Sequence, residues 1–162
     1  MNHAALVALY AQQAPRARNL AYLLTGDLQV SQDLVQDCFV KLAGRLVPLD
    51  NPEAYLRRMI VNAAHSHHRK LRTRREKASQ EARVVGADSD RAPDGSEQRA
   101  ERARLLDALD QLPARQRSAV ILRHWLDLSE QECANHLDCS VGTVKSLASR
   151  GRAALRSTLE NA

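Results

Sequence analysis

Apolar residues along this chain recur every three to four positions, the period of an amphipathic helix, and no stretch alternates as a half-buried strand would. Leu6, Leu9, Tyr10, Leu20 and Leu24 mark a first helix from about His3 to Leu24. Pro15 within it removes an amide donor and crowds the turn before it, which predicts a kink or a division there. Thr25-Gly26-Asp27 reads as a stop, with Gly26 suited to a left-handed cap. A second helix is expected to begin near Ser31 as its N-cap, with Leu34, Val35, Cys38, Phe39, Leu42 and Leu46 as one buried stripe. A third opens at Asp50-Asn51-Pro52-Glu53. Either Asn51 caps it with Pro52 in the first helical position, or Asp50 caps it with Glu53 three residues on. Leu56, Met59, Ile60 and Ala63 supply its apolar face.

The second half repeats the theme with four helices. Leu105, Leu106, Leu109 and Leu112 mark one, ended by Pro113, and Val120, Ile121 and Trp125 mark the next. Ser129-Glu130-Gln131-Glu132 is a capping box that opens a third, with Cys133, Ala134 and Leu137 inward. After Asp138-Cys139-Ser140, Ser140 caps a last helix whose inward stripe is Val144, Ala148, Gly151 and Leu155. Between the halves the composition changes. From about Ser79 to Glu97 the chain carries Gly, Pro, Ser and Asp with no aromatic residue and no sustained apolar period, as a flexible acidic linker does. The expected fold is all-α: two small helical domains, 1–78 and 99–162, joined by a linker at 79–98, the second ending in a helix-turn-helix.

Composition supports this. In 162 residues, 44% are hydrophobic but only 3% aromatic, so Leu, Val and Ala must build the core. The net charge of +5 means little if spread evenly and suggests a polyanion if clustered. Cys38, Cys133 and Cys139 are odd in number and lack metal-ligand spacing, which favours core filling in a reducing, cytoplasmic compartment over a disulfide framework. The apolar stretch Ala4 to Ala11 has no basic residue before it, so a signal peptide is not expected, and no run is long enough for membrane insertion.

The charge is clustered. A short capped helix, a three-residue turn and a helix rich in Lys and Arg make a helix-turn-helix, which would place its second helix in the DNA major groove. Gly142, Thr143, Lys145, Ser146, Leu147, Ser149 and Arg150 lie off the inward stripe. Lys145 and Arg150 can reach guanine or phosphate, Ser146 a base edge, and Leu147 a thymine methyl. A helical hairpin with a solvated basic face is the plain alternative. A second cluster runs from Arg57 to Lys77 and contains one acid, Glu76. It suits a phosphate backbone, though a solvated or membrane-surface face is also open. On the second helix, Asp33, Gln36, Asp37 and Lys41 surround Val40; left to itself, such a face meets water. His65, His67 and His68 have no carboxylate or cysteine near them in sequence to complete a metal site, so no metal or other cofactor is expected. No nucleophile–base pattern or Gly-rich phosphate loop suggests an enzyme.

Two ordered sets of motifs carry a resemblance. Tyr22-Leu23-Leu24-Thr25-Gly26-Asp27, Asp33-Leu34-Val35-Gln36-Asp37, Asn51-Pro52-Glu53-Ala54-Tyr55-Leu56-Arg57-Arg58 and Val61-Asn62 resemble the N-terminal domain of extracytoplasmic-function (ECF) sigma factors. Leu112-Pro113-Ala114-Arg115-Gln116-Arg117, Leu128-Ser129-Glu130 and Cys139-Ser140-Val141-Gly142-Thr143-Val144-Lys145-Ser146 resemble their C-terminal domain, most nearly in the actinobacterial SigE-type group. The resemblance implies a promoter-binding, non-catalytic subunit of RNA polymerase. Asp33, Gln36, Asp37, Val40 and Lys41 would then grip the β′ clamp coiled coil. The loop from Gly44 through Asp50 and Asn51 would capture a flipped base of the −10 element. Arg57, Arg58, Asn62, His65 and Arg69, with Lys70 beside them, would flank the melted strand. Gly142, Thr143, Lys145, Ser146, Leu147, Ser149 and Arg150 would meet the −35 duplex. An apolar groove of the C-terminal domain would take the β flap tip, and an anti-sigma protein would mask these faces. The sequence departs from the family at His67 and His68, where Trp or Arg is common, at Leu147, where Gln or Arg is usual, and at Asp138, in place of a turn Gly. The competing reading is a stand-alone helix-turn-helix regulator, which would bind duplex DNA as a dimer without polymerase.

Overall fold

The computed structural model describes residues 3–45, 48–81 and 97–161, with the side chains of 79–81 left out. The predicted linker lies outside the described residues except at its two ends. Both ends are helical: α3 extends to Glu81, and α4 already begins at Glu97. Leu46, expected on the second helix's stripe, is also outside them. The elements are α1 (His3–Thr25), α2 (Leu28–Ala43), α3 (Pro52–Glu81), α4 (Glu97–Asp110), α5 (Ala114–Val120), a single π-helical turn (Ile121–Trp125), α6 (Glu130–Leu137) and α7 (Val141–Glu160). No strand forms among the described residues.

The first three helices pack as a bundle. Ala17, Leu20, Ala21 and Leu24 of α1 meet the α2 stripe Leu34, Val35, Cys38, Phe39 and Leu42, and Leu56, Ile60, Val61 and Ala64 of α3 close the third side. Tyr10 lies edge-on to Phe39, with ring centroids 4.9 Å apart. Burial pushes the Cys38 thiol up to about 11, so it stays protonated as an apolar filler.

Three local expectations are corrected. Pro15 does not divide the first helix, which runs unbroken through it. Pro15 is exposed, as is Ala11, whose carbonyl loses its helical donor, so solvent can serve that group. Ser31 does not cap the second helix. Asp27 does, in extended conformation, its carboxylate accepting from the Val30 amide at 2.9 Å. Gly26, at φ +73°, turns the chain so tightly that α2 follows α1 almost at once. Ser31 is buried one turn inside, where its hydroxyl donates to the Leu28 carbonyl at 2.7 Å. The third correction is Trp125. Five consecutive residues form the π turn, and the Leu126 amide donates to the carbonyl of Ile121, five residues back. The wider turn shifts the register, leaving Trp125 61% exposed.

Elsewhere the sequence pattern holds. Asn51, not Asp50, caps α3, its side chain accepting from the Ala54 amide at 2.9 Å. Ser129 and Glu132 form both halves of the capping box of α6. Asp138 ends α6 in the left-handed region at φ 50°, and Ser140 caps α7 by accepting from the Thr143 amide. Gly151 lies where α7 crosses α5; a Cβ there would stand 2.6 Å from Val120 Cγ2 and 3.2 Å from the Gln116 carbonyl oxygen. Overpacking a tight crossing costs about 1–3 kcal/mol. Gly151→Ala should therefore lower stability by roughly that amount, read as a fall in the urea midpoint at unchanged m-value.

Candidate nucleic-acid and polymerase interfaces

The helix-turn-helix is built from inside outward. Cys133, Ala134 and Leu137 of α6 and Val144, Ala148 and Gly151 of α7 are buried against α5. That packing fixes the rotation of α7 and sends Gly142, Thr143, Lys145, Ser149 and Arg150 to solvent, with Ser146 and Leu147 half-buried. The two cationic side chains rest on protein partners. Lys145 Nζ lies 3.4 Å from Glu130 Oε2, and the Arg150 guanidinium donates to the Ser146 hydroxyl. An exposed pair of the first kind is worth about 0–1 kcal/mol, so a phosphate or guanine can displace it.

One part of this surface is missing from the sequence reading. Arg152 and Arg156 continue the helical row begun by Lys145 and Ser149, and with Arg123 and His124 they line a basic cleft of roughly 430 Å³ beside it. The spacing on α7 could have revealed Arg152 and Arg156. Arg123 and His124 reach the cleft through the π turn, whose register no periodicity announces.

On α2, Asp33, Gln36, Asp37, Val40 and Lys41 all face solvent, and Val40 is 65% exposed among polar neighbours. The expected strand-binding residues lie on and before α3. Asp50, Asn51, Arg58, Asn62, Arg69 and Lys70 are exposed; Arg57 is half-buried and ion-paired with Glu53 at 3.5 Å. The loop before α3 is steadied by Arg45, which donates to the Tyr55 hydroxyl at 2.8 Å. Asp50, Asn51, Tyr55, Arg57 and Arg58 share a cleft of about 570 Å³. Its opposite wall is α6, with Glu132, Asn135 and His136.

The histidines separate by environment. His65 is half-buried, its Nε2 2.7 Å from the Ser118 hydroxyl of α5. Ser118 gives its own proton to the Ala114 carbonyl, so His65 Nε2 is the donor. Burial first, then the Arg115 guanidinium and His68, hold this imidazole below its ordinary range. His68 Nε2 donates to the Leu24 carbonyl at 2.8 Å. His67 is half-buried, and burial with His68 beside it lowers its pKa as well. Among the described residues, no cluster of His, Cys, Asp and Glu could hold a metal ion.

Residues 9–75 match the model of sigma-70 region 2, and residues 102–155 match that of sigma-70 region 4. An RNA polymerase sigma-E factor of Streptomyces antibioticus is 37% identical over 133 residues, covering 80% of this chain and 71% of that protein. The chain belongs to the ECF sigma factors of the sigma-70 family. An ECF sigma factor named EcfG, of Rhodopseudomonas palustris, is 30% identical over 148 residues, covering 90% of this sigma factor and 80% of its own length. Among solved structures, the sigma factor RpoE of Bartonella quintana, crystallised with the anti-sigma factor NepR, matches with a TM-score of 0.70 at 28% identity. That match covers 93% of this sigma factor and 94% of the other chain. CnrH, solved with the cytosolic domain of CnrY, shares the fold with a TM-score of 0.69 at 23% identity. Like its relatives, this sigma factor serves promoter-specific transcription initiation. No helix among its described residues is long and apolar enough to cross a membrane.

His136 of α6 gives this surface a pH dependence. Its Nδ1 donates to the Glu132 carbonyl, and Nε2 is buried without a hydrogen-bond partner. Burial, with Arg57 and Arg58 adding repulsion, holds its pKa below the ordinary 6.5. The unfolded chain therefore takes up this proton first, and stability falls as pH drops below about 6.5. Urea midpoints measured from pH 8 to 5 should decline for the wild type and decline less steeply in His136→Gln, with His65 and His67 supplying the remaining slope.

Proposed function

We propose that this sigma factor acts with two promoter-facing surfaces and one polymerase-facing surface, and that it catalyses no reaction itself. The observation that carries this is the outward rotation of α7, which bares Lys145, Ser149 and Arg150 while Val144, Ala148 and Gly151 anchor the helix. Lys145 and Arg150 read or clamp the −35 duplex with Gly142, Thr143, Ser146, Leu147 and Ser149. Arg123, Arg152 and Arg156 follow the adjoining phosphates. Asp33, Gln36, Asp37, Val40 and Lys41 dock on the β′ clamp coiled coil, their acids ringing an apolar centre. The loop ending at Asp50 and Asn51 takes a flipped −10 base, and Arg57, Arg58, Asn62, His65, Arg69 and Lys70 line the path of the melted strand. Extruding a base takes a few kcal/mol, which the basic path offsets.

Residues 1–78 and 99–162 act as separate domains on 79–98, the C-terminal one also meeting the β flap tip. The place of action is the cytoplasm, where an anti-sigma protein holds the factor inactive. The likeness to RpoE, solved with NepR, supports that last step.

Run-off transcription with core polymerase tests the reading. Lys145→Ala or Arg150→Ala should cost about 1–3 kcal/mol at the −35 element, a fall of roughly fivefold to over a hundredfold in transcript. Asp37→Arg should weaken binding to core polymerase without changing helicity. Sequence-specific duplex binding by a dimer of the free protein, with no gain from core polymerase, would instead favour the stand-alone regulator.

A further inference from the structure

One acid interrupts the basic cleft beside α7. Arg123, His124, Lys145, Arg152 and Arg156 line that cleft, and Glu130 is the single carboxylate among its lining residues. A carboxylate beside a row of phosphate-tracking cations weakens attraction to DNA wherever no cation stands between. Glu130 is the first residue of α6, directly after the Ser129 cap. The capping box fixes the start of that helix, and the free amides of the first turn favour a carboxylate there. Glu130 Oε2 lies 3.4 Å from Lys145 Nζ, with the Glu130 side chain 37% exposed and that of Lys145 62%. Glu130 is therefore the fixed end of the pair and Lys145 the movable one.

The exposed arc of α7 is centred opposite Val144, Ala148 and Gly151, which are buried. Lys145 stands at the edge of that arc, about a quarter turn from its centre, on the side that faces Glu130. Arg152 and Arg156 share this edge. Neither forms an ion pair among the described residues, so both bring net charge to a phosphate. Lys145, paired with Glu130, adds almost none. An ammonium has three donors, and one directed at Glu130 leaves two for a guanine O6 or N7. Such a pair retains hydrogen bonding to a base edge but loses the counterion release that drives sequence-independent binding.

We propose that Glu130 is a positioning residue for −35 recognition: it holds and neutralises Lys145, so that Lys145 reads a base edge and does not clamp a phosphate. This rests on the assignment of α7 to the −35 duplex. An exposed ion pair biases a side chain by only about two- to fivefold, which sets the size of the effect.

The test uses the full chain bound to core polymerase. The wild-type holoenzyme first selects its promoter from randomised duplex DNA. Binding is then measured, across a range of salt, to the selected promoter and to the same duplex with its upstream element scrambled. Glu130→Gln removes the charge and keeps the shape. It should tighten binding to the scrambled duplex and lower the preference for the selected one by about two- to fivefold. Its plot of log K against log salt should steepen by up to about one unit, as one more phosphate is neutralised. In a Lys145→Met background, Glu130→Gln should change neither the preference nor the slope.

An unchanged preference in Glu130→Gln overturns the role of Glu130. An effect of equal size in the Lys145→Met background also overturns it, since the carboxylate would then act on DNA directly. Both outcomes leave the −35 assignment standing. A wild-type holoenzyme that selects no upstream element overturns that assignment, and the role of Glu130 with it.

Discussion

A buried guanidinium is tolerated only where acceptors surround it, and the C-terminal half of this protein is arranged around one. Arg117 gives Nε to the Leu109 carbonyl at 2.6 Å, Nη2 to the Asp110 carboxylate at 2.6 Å and Nη1 to the Leu24 carbonyl at 2.7 Å. Left unpaired at that depth, the charge would carry a desolvation penalty of several kcal/mol. Paired, it holds the last carbonyls of two helices, α1 and α4. It also sets where α5 lies, and α5 is the floor on which α7 packs. The planar fork of Arg matters here, since a Lys ammonium cannot serve three acceptors in these directions.

From α5 the constraint passes outward. Six residues in a row, Arg117 to Leu122, are buried, which an amphipathic helix on one surface could not achieve. They are enclosed because α7 crosses one side at Gly151, α6 covers another, and α1 and α3 close in at Arg117 and Ser118. The π turn then lets the chain leave this enclosure with Trp125 outside. In consequence the basic side of α7 has a fixed direction, with Arg123 and His124 brought alongside Arg152 and Arg156. Recognition of DNA by a few side chains requires such fixity, because a rotated helix would present Val144 instead of Lys145.

The same logic separates the two kinds of surface on this sigma factor. Faces of α2 and α7 are exposed and ready for partners. The α3 face is basic yet partly covered, and His65 and His68 on it are occupied by internal hydrogen bonds. Accessibility as well as charge therefore separates these surfaces.

Much of this could be read from residues alone. The α-helical period, the caps at Ser129 and Ser140, the αL Asp138 and the inward stripe of α7 depend on interactions within a few positions, and local chemistry settled them; for α3 it left Asp50 and Asn51 both open, and the structure chose Asn51. It failed where competing local signals were judged without their surroundings. Ser31 is a good cap in isolation, but Asp27 follows a glycine that can turn the chain, and burial claimed Ser31 for the core. Pro15 is a breaker in principle, but its exposed position lets solvent serve the freed carbonyl. Only the tertiary structure decided the register beyond Leu122, the company of Arg123 with Arg156, and the meeting of Arg117 with Leu24 across 93 positions. Those outcomes depend on which backbone groups lack partners once the helices are packed, and a chain read residue by residue does not disclose that.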